Sequence, residues 1–81
     1  MGDGTVEIHL FAAARAAVGA SSLTAEPAAL SVVLDRISAE HPDFAAVRPR
    51  CSYLVDGVTV HGDAVVPPGS RVDVLPPFAG G

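Results

Sequence analysis

The sequence of 81 residues has no lysine and no tryptophan, and it has a single cysteine. Its five basic residues are all arginines, spread along the chain without a basic run, and the formal net charge at pH 7 is −4. This pattern disfavours nucleic-acid binding, which needs clustered basic side chains to neutralise phosphates. Because no side chain carries a primary amine, the chain cannot accept an isopeptide bond on a lysine of its own.

The single cysteine, Cys51, excludes an internal disulfide and a metal cage of several thiolates. Free cysteines are usually buried, so we interpret Cys51 as a small core residue rather than a nucleophile. The histidines, His9, His41 and His61, lie on different predicted elements without the convergent spacing of a metal site or a general base. We therefore expect no metal centre, and a reducing cytosolic compartment.

The sequence has no stretch suited to a membrane or to export. Its first residues lack the positive region of a signal peptide. The apolar run at residues 10–20 is interrupted by Arg15 and is shorter than the roughly 20 residues that span a bilayer. We expect a cytoplasmic protein without a membrane partner.

The length limits the chain to one small domain, which buries about 60 to 65% of its unfolded surface. Such a core leaves no room for a deep active site of its own. A glycine-rich phosphate loop is also missing, because Gly2 and Gly4 precede a strand and lack the rest of the fingerprint. The lack of a catalytic constellation favours a protein on which partners act.

Two strands are predicted in the first third of the chain. Residues 5–11 alternate between apolar and polar side chains, the period of a half-buried strand. Its apolar face consists of Val6, Ile8 and Leu10. Residues 12–18 are rich in alanine and stop at Gly19, which predicts a helical turn or two ended by a left-handed glycine. Residues 22–26 predict a second strand, which we expect to pair with the first.

One main helix is predicted over residues 31–41, with Ser31 as its N-cap and Pro42 as its end. Its apolar stripe consists of Leu30, Val33, Leu34, Ile37 and His41. The pattern weakens afterwards, and we expect residues 43–49 to form a loop or short turn that packs Phe44 onto the core.

The strongest local signal is Asp56-Gly57, which lies between the β-rich residues 51–55 and 58–60 and predicts a type I′ hairpin. Residues 71–75 predict a last strand with Val72 and Val74 on one face. The order of elements predicts an α+β fold with a mixed β-sheet and one main helix packed on one face. We assign residues 1–75 to a single domain and residues 76–81 to an extended tail.

The closing sequence is Leu75-Pro76-Pro77-Phe78-Ala79-Gly80-Gly81. Pro76 and Pro77 lack N–H groups, so the last strand cannot continue its ladder beyond them. In polyproline II geometry the six residues 76–81 would reach roughly 19 Å at about 3.1 Å each. Gly80 and Gly81 have no side chain to block a narrow channel, so the α-carboxylate of Gly81 is the predicted reactive group. The alternative interpretation is a frayed terminus, because the last residues of most domains are loosely ordered.

Several positions together resemble the MoaD/ThiS sulfur carriers, and most closely the small subunits of molybdopterin synthases. The similar segments are Leu10-Phe11-Ala12 with Arg15 and Gly19, Val55-Asp56-Gly57, residues 69–72, and the ending Pro76-Pro77 to Gly80-Gly81. Ala16 and Ser70-Arg71 depart from the family pattern, which has acidic residues there. These departures concern partner contacts and leave the tail unchanged.

The resemblance implies a ubiquitin-like β-grasp fold and a mechanism. No cofactor is bound in this scheme. An ATP-dependent, E1-like activating enzyme would adenylate Gly81, and a sulfur donor would convert it to a thiocarboxylate. The large subunit of molybdopterin synthase, with which such chains form a heterotetramer, would then use the sulfur on cyclic pyranopterin monophosphate.

Partner-binding positions follow partly from the residues and partly from the resemblance. The tail residues Pro76, Pro77, Phe78, Ala79 and Gly80 would enter the partner, with Phe78 as an aromatic anchor. Phe11 and Leu75 would form an apolar patch on the solvent face of the sheet. Arg15, which matches the family's first turn, completes the expected interface.

Two alternative functions stay open at this point. The same tail chemistry serves sulfur carriers for the thiazole of thiamine or for cysteine synthesis. A β-grasp interaction module that carries no sulfur is also compatible, because one fold hosts many functions.

Overall fold

The structure, a computed structural model, describes residues 4–77. The helices in this range are α1 Ala12–Val18, α2 Leu30–Glu40 and α3 Pro42–Val47, the last followed by a 3-10 turn at Arg48–Arg50. The strands are β1 Val6–Leu10, β2 Ser22–Ala25, β3 Ala28–Ala29, β4 Ser52–Val55, β5 Val58–Val60, β6 Val65–Val66 and β7 Arg71–Leu75.

The main sheet has the strand order β2-β1-β7-β4-β5, and a second, small sheet pairs β3 with β6. Strands β1 and β7 are parallel, whereas the other neighbours in the main sheet are antiparallel. The predicted mixed sheet and the predicted pairing of the first two strands are thus confirmed. Because β7 lies in the middle, the last strand of the described chain is held on both sides.

One face of the main sheet forms the floor of the core. The alternating apolar residues of the two central strands are fully or almost fully buried: Val6, Ile8, Leu10, Val72 and Val74. They share one cluster with the buried stripe of α2, Leu30, Val33, Leu34 and Ile37. The period-two pattern and four of the five stripe positions therefore predicted correctly which side chains enter the core. His41, the fifth, is wrong: it follows α2 as its C-cap and is only half-buried.

The turn from α1 to β2 also agrees with the prediction. Helix α1 ends at Gly19, which is left-handed with φ 83° and donates its N–H to the Arg15 carbonyl at 2.8 Å. Glycine is the residue that adopts this geometry without a Cβ penalty. Ala14 and Val18 attach α1 to the core.

The start of α2 differs from the prediction. The N-cap residue is Ala29 rather than Ser31, and no side chain caps the helix. The backbone N–H groups of Leu30 and Ser31 instead donate to the carbonyls of Ala64 and Gly62, both at 2.8 Å. A distant loop thus satisfies the orphan donors of the helix, which a local capping rule cannot foresee.

Residues 42–47 form a helix where a loop or short turn was expected. Pro42 occupies the first turn of α3 and Asp43 follows it, and both are favourable at a helix N-terminus. Phe44 is fully buried, so its predicted packing onto the core is confirmed. The weak apolar pattern of this short helix hid it, because only one of its six residues is buried.

The predicted hairpin is present between β4 and β5. Val55 pairs with Val58, which leaves a loop of two residues, Asp56 and Gly57. Both have positive φ, 48° and 85°, as a type I′ turn requires.

Candidate functional site at the carboxyl end of the central strand

Strand β7 is the element that leads to the tail, residues 76–81. It pairs with β1 on one side and β4 on the other along its length. Its buried side chains, Val72 and Val74, fix which face points to the core. A strand held in this way gives the segment that follows a rigid origin.

The start of β7 is tied to the hairpin loop. The Asp56 carboxylate accepts the Arg71 N–H at 2.9 Å, and the Asp56 N–H donates to the Arg71 carbonyl at 2.8 Å. Just before it, Ser70 is buried, and its hydroxyl donates to the Pro67 carbonyl at 2.6 Å. Asp56 therefore forms the turn and also anchors the strand that leads to the tail.

The ladder of β7 ends at the register pair of Leu75 with Ser52. Pro76 is half-buried, Pro77 is exposed, and neither has an N–H to donate. The backbone therefore leaves the sheet at the carboxyl end of β7, as the proline pair predicted.

The outer face of the sheet becomes apolar near this end. Leu54 lies opposite Asp73 and Ser52 opposite Leu75, so Leu54 and Leu75 share the face away from the core. Phe11 is 40% exposed and extends the strand one position beyond the Leu10–Val74 pair. We call Phe11, Leu54 and Leu75 the apolar patch; the first and third were predicted, and Leu54 was missed.

Farther from the tail, the same face is polar. The Glu7 carboxylate lies 3.0 Å from the His9 Nε2, and the Arg71 guanidinium contacts the Asp73 carboxylate at 2.7 Å. These exposed pairs contribute little stability. They limit the apolar surface to the end of the sheet from which the tail leaves.

A groove of about 290 Å³ lies on the other side of the tail's base. It is lined by Ala13 of α1, Ala46 and Val47 of α3, Arg50 of the 3-10 turn, Pro76 and Pro77. The apolar lining suits an aliphatic or aromatic side chain, and Arg50 adds a positive charge. We call it the tail groove.

Two arginines near this end are free to meet a partner. Arg15 and Arg50 form no side-chain hydrogen bond or ion pair within residues 4–77. Both are exposed. Arg15 was predicted as an interface residue from the resemblance. Arg50 was missed, because nothing in the sequence indicates that α3 brings it beside Pro76.

Arg48, in contrast, is a structural residue. Its guanidinium contacts the Asp35 carboxylate at 2.7 Å, the Ser38 hydroxyl at 3.3 Å and the Ser31 carbonyl at 3.2 Å. These contacts fasten the 3-10 turn to α2. Arg50, two residues on, is thereby held beside the tail groove.

Cys51 and Tyr53 lie close together behind this turn. The Cys51 thiol is 3.5 Å from the Val47 carbonyl, and the Tyr53 hydroxyl donates to the Arg48 carbonyl at 2.8 Å. Burial raises the pKa of the Cys51 thiol, although neighbouring Tyr53 acts in the opposite direction. A thiol with a raised pKa supplies little thiolate and is a poor nucleophile.

In residues 4–77, no group of three or more His, Cys, Asp and Glu side chains is arranged to hold a metal ion. Over the same range, no helix combines the length and apolarity needed to cross a membrane. The predicted reactive residue, Gly81, and the predicted tail contacts Phe78, Ala79 and Gly80 lie outside the described residues.

Known proteins share this architecture over nearly the whole chain. The small archaeal modifier protein 1 of Haloferax volcanii superposes with a TM-score of 0.83 at 21% identity, covering 96% of this chain and 100% of the other. A putative molybdopterin converting factor subunit 1 of Pyrococcus furiosus gives 0.81 at 22% identity, covering 91% and 98%. At identities this low, the likeness establishes the fold, which is the ubiquitin-like β-grasp.

A third similar structure contains two proteins. It is the complex of subunits 1 and 2 of the molybdopterin-converting factor of Helicobacter pylori, with a TM-score of 0.70 at 17% identity, covering 95% of this chain and 99% of the other. A comparison with curated proteins found no significant match.

Fold and site define a class: a small β-grasp protein whose central last strand delivers a proline-led tail beside an apolar surface. Within that class, a sequence profile of the ThiS family matches residues 8–81, which includes the tail. The chain therefore belongs to the ThiS family of MoaD/ThiS-like sulfur carriers.

Proposed function

We propose that this chain is a sulfur carrier whose reacting group is the carboxylate of Gly81. The observation that supports it most is the position of β7, which is held at the centre of the sheet and releases the backbone at Pro76. The family match runs through the closing glycines. A rigid origin and small terminal residues together suit delivery of a carboxylate into another protein's active site.

Activation needs two steps, because a carboxylate is a poor electrophile until one of its oxygens becomes a leaving group. A Gly81 oxygen attacks the α-phosphorus of ATP, and pyrophosphate leaves. Hydrosulfide supplied by a sulfur donor then attacks the acyl carbon, the C–O bond to AMP breaks, AMP and a proton leave, and a thiocarboxylate forms. An E1-like enzyme binds the ATP, and the reaction takes place in the cytoplasm, where ATP is available.

The half-buried Cys51 supports the proposal that the sulfur comes from a partner and not from this chain. It is the one sulfur nucleophile that the chain could offer, and burial raises its pKa. Sulfur therefore reaches the tail from outside, and the partners supply the catalytic acids, bases and phosphate-binding groups.

The acceptor complex that we propose is molybdopterin synthase, with this chain as its small subunit. The Helicobacter pylori relative was solved as a complex with subunit 2 of the same factor. A corresponding large subunit would cover the apolar patch of Phe11, Leu54 and Leu75, with Arg15 and Arg50 at the edge. It would use the sulfur on cyclic pyranopterin monophosphate to build the dithiolene of molybdopterin, most simply in a heterotetramer.

A second function is favoured by the similarity to small archaeal modifier protein 1, whose name describes a protein modifier. The activated Gly81 would then form an amide with an amine of a target instead of receiving sulfur. Sulfur carriers for thiazole or cysteine synthesis share the first steps with the main proposal and differ in the acceptor.

Intact-mass spectrometry tests these functions. The chain is incubated with ATP, an E1-like enzyme and a sulfur donor, and we expect the mass increase of one oxygen replaced by sulfur. Adding the large subunit and cyclic pyranopterin monophosphate should return the original mass and produce molybdopterin. A target protein heavier by the mass of this chain would establish the modifier function. Sulfur consumed only by a thiazole or cysteine-forming acceptor would assign one of the other pathways.

A further inference from the structure

A second groove lies at the opposite edge of the sheet, between β2 and α2, and has a volume of about 220 Å³. Its floor is apolar and consists of Leu23, Ala25, Val33 and Ile37. Ligand pockets are usually about 300 to 1,000 Å³. An engineered apolar cavity of roughly 150 Å³ holds benzene. The groove is therefore small for a cofactor and suited to one or two aliphatic side chains.

The strand beside this groove has a free edge. Strand β2 ends the order of the main sheet, so no strand of residues 4–77 pairs with its outer side. Leu10 and Ser21 lie opposite each other when the β1–β2 register is continued by one position. The Leu10 N–H donates to the Ser21 carbonyl at 2.9 Å, so these two residues form a hydrogen-bonded pair. Hydrogen-bonded and non-bonded pairs alternate in an antiparallel ladder. The N–H and C=O of Thr24, which lies opposite Glu7, therefore point away from β1.

Charge at the rim of the groove selects the occupant. Glu26 and Glu40 line it and form no ion pair or side-chain hydrogen bond within residues 4–77. Arg36 also lines it, but its guanidinium is engaged with the Glu26 carbonyl at 3.2 Å. That hydrogen bond does not cancel the charge of Arg36, so two carboxylates and one guanidinium leave the rim with a net charge of −1, which still favours an incoming basic group.

We propose that β2 and this groove bind an extended segment of a partner protein as an added strand. The backbone of the segment would pair with Thr24, and its alternate side chains would be aliphatic and enter the groove. Lysine or arginine residues flanking them would meet Glu26 and Glu40. A second copy of this chain fits less well, because it brings the same carboxylates and a net charge of −4 to the contact.

This surface is separate from the tail. The β1 partner of Thr24 is Glu7, whose β7 partner is Arg71, four residues before Leu75. That separation amounts to about 13 Å along the strands and about 10 Å across two strand spacings. The groove beside β2 and the tail groove share no lining residue, so a short segment bound at β2 leaves the base of the tail uncovered, whatever chemistry the tail performs.

Titration with short synthetic peptides, followed by amide chemical shifts, tests the proposal. The probe is a peptide of about seven residues that alternates valine and threonine and has lysines at both ends. We expect saturable shifts concentrated on β2 and the facing side of α2. The same peptide with glutamates in place of the lysines should bind at least about tenfold more weakly, since two attractive contacts become repulsive.

Two single variants form a matched pair. Thr24→Pro removes the N–H of residue 24, which points away from the sheet. Proline is tolerated at this position because β2 is an edge strand. Thr59→Pro does the same on β5, the other edge, because Thr59 is the non-bonded position of its hairpin. We expect Thr24→Pro to weaken peptide binding by about tenfold, because the added strand loses one backbone hydrogen bond. Thr59→Pro should leave peptide binding unchanged.

A charge variant keeps the proposal testable if the proline variants fold poorly. The double change Glu26→Gln with Glu40→Gln should abolish the preference for the lysine peptide. The proposal is overturned if the shifts are absent or fall away from β2, or if both peptides bind equally well. Self-association of the unmodified chain that Thr24→Pro abolishes would assign the edge to a second copy instead.

Discussion

At the scale of single residues, a variant of Cys51 distinguishes a carrier that holds sulfur at its C-terminus from one that holds sulfur at a thiol. Its thiol is half-buried against the Val47 carbonyl, and burial raises its pKa. We expect Cys51→Ser to keep full sulfur loading and transfer, with a loss of unfolding free energy below about 1 kcal/mol. Loading kinetics by intact mass and urea unfolding measure both. A folded Cys51→Ser protein that no longer transfers sulfur would contradict the terminal mechanism.

The titration of Tyr53 tests whether its hydroxyl is buried behind the 3-10 turn. Burial raises the pKa of Tyr53 to about 12, and neighbouring Cys51 acts in the same direction. Because the folded pKa lies above the unfolded value of about 10, this group stabilises the fold below that pH, and its contribution disappears as the pH rises from about 10 to 12.

Tyr53 is the single tyrosine of a chain without tryptophan, so its absorbance reports this titration alone. We expect the tyrosinate signal to appear well above pH 10 in the folded protein and near pH 10 in urea. Tyr53→Phe should remove the loss of stability in that range. A folded protein that titrates near pH 10 would contradict the burial of the hydroxyl.

The residue patterns predicted the buried side chains well, and they predicted the helix-capping and partner-binding side chains less well. The stripe of α2 and the alternation of β7 followed from spacing alone, since burial depends on local period. The N-cap at Ser31 was wrong, because the carbonyls of Gly62 and Ala64 satisfy the helix from a distant loop. Arg50 was missed for the same reason: its place beside Pro76 depends on tertiary packing.

At the scale of elements, the β4–β5 hairpin is the part that sequence predicted most fully, and Asp56 can be tested there. The residue has a positive φ of 48°, and its carboxylate accepts the Arg71 N–H. Asp56→Ala loses that hydrogen bond and strains a left-handed alanine, so we expect a loss of about 2 kcal/mol in unfolding free energy.

Asp56→Asn is the matched control, because asparagine tolerates the left-handed region and keeps an acceptor oxygen. We expect it to lie within about 0.5 kcal/mol of the unmodified protein. Urea unfolding of both variants compares them. Equal stabilities of the Ala and Asn variants would mean that Asp56 does not tie the hairpin to β7.

Short elements without a strong period escaped prediction. Helix α3 has its start signals in Pro42 and Asp43, but a single buried side chain gives too little pattern to extend them. Strands β3 and β6 have two residues each and exist only because they pair with one another over a long separation in sequence. The parallel pairing of β1 with β7 was not predicted, because periodicity identifies a strand but not its partner in the sheet.

At the scale of the whole molecule, the proposed function divides the chain into a packed body and a tail that carries the reacting group. The division into residues 1–75 and 76–81 stays a prediction, since residues 78–81 lie outside the described part. What the structure adds is the position of the tail's base, between the apolar patch and the tail groove.

Extending the chain past Gly81 tests the reactive terminus. If the free carboxylate of a glycine must pass a narrow channel, then one added residue or Gly81→Leu should abolish sulfur loading and leave thermal unfolding unchanged. We expect the fold to be unaffected because the core of the described residues is complete without the tail, from Val6 to Val74. Intact mass after incubation with ATP, the E1-like enzyme and the donor measures loading. An extended protein that gains a thiocarboxylate on its new last residue at the normal rate would contradict this channel.

The last prediction separates docking from chemistry, because the body and the tail contribute differently to each. Gly80 and Gly81 can bury little area, so a protein truncated after Ala79 should bind the large subunit within about tenfold of the full chain, or about 1.4 kcal/mol. It should transfer no sulfur. Phe78→Ala should do the reverse: it removes a predicted aromatic anchor and weakens binding, yet leaves a carboxylate that can be adenylated.

Calorimetry of both variants with the large subunit measures the first effect, and intact mass measures the second. Leu54→Ser is a useful companion, because it alters the apolar patch without touching the tail and should also weaken binding while loading continues. Truncation that destroys binding, together with a Phe78→Ala protein that binds normally, would assign the affinity to the two glycines. Docking would then depend on the tail's end alone, and neither the apolar patch nor the tail groove would have a part in it.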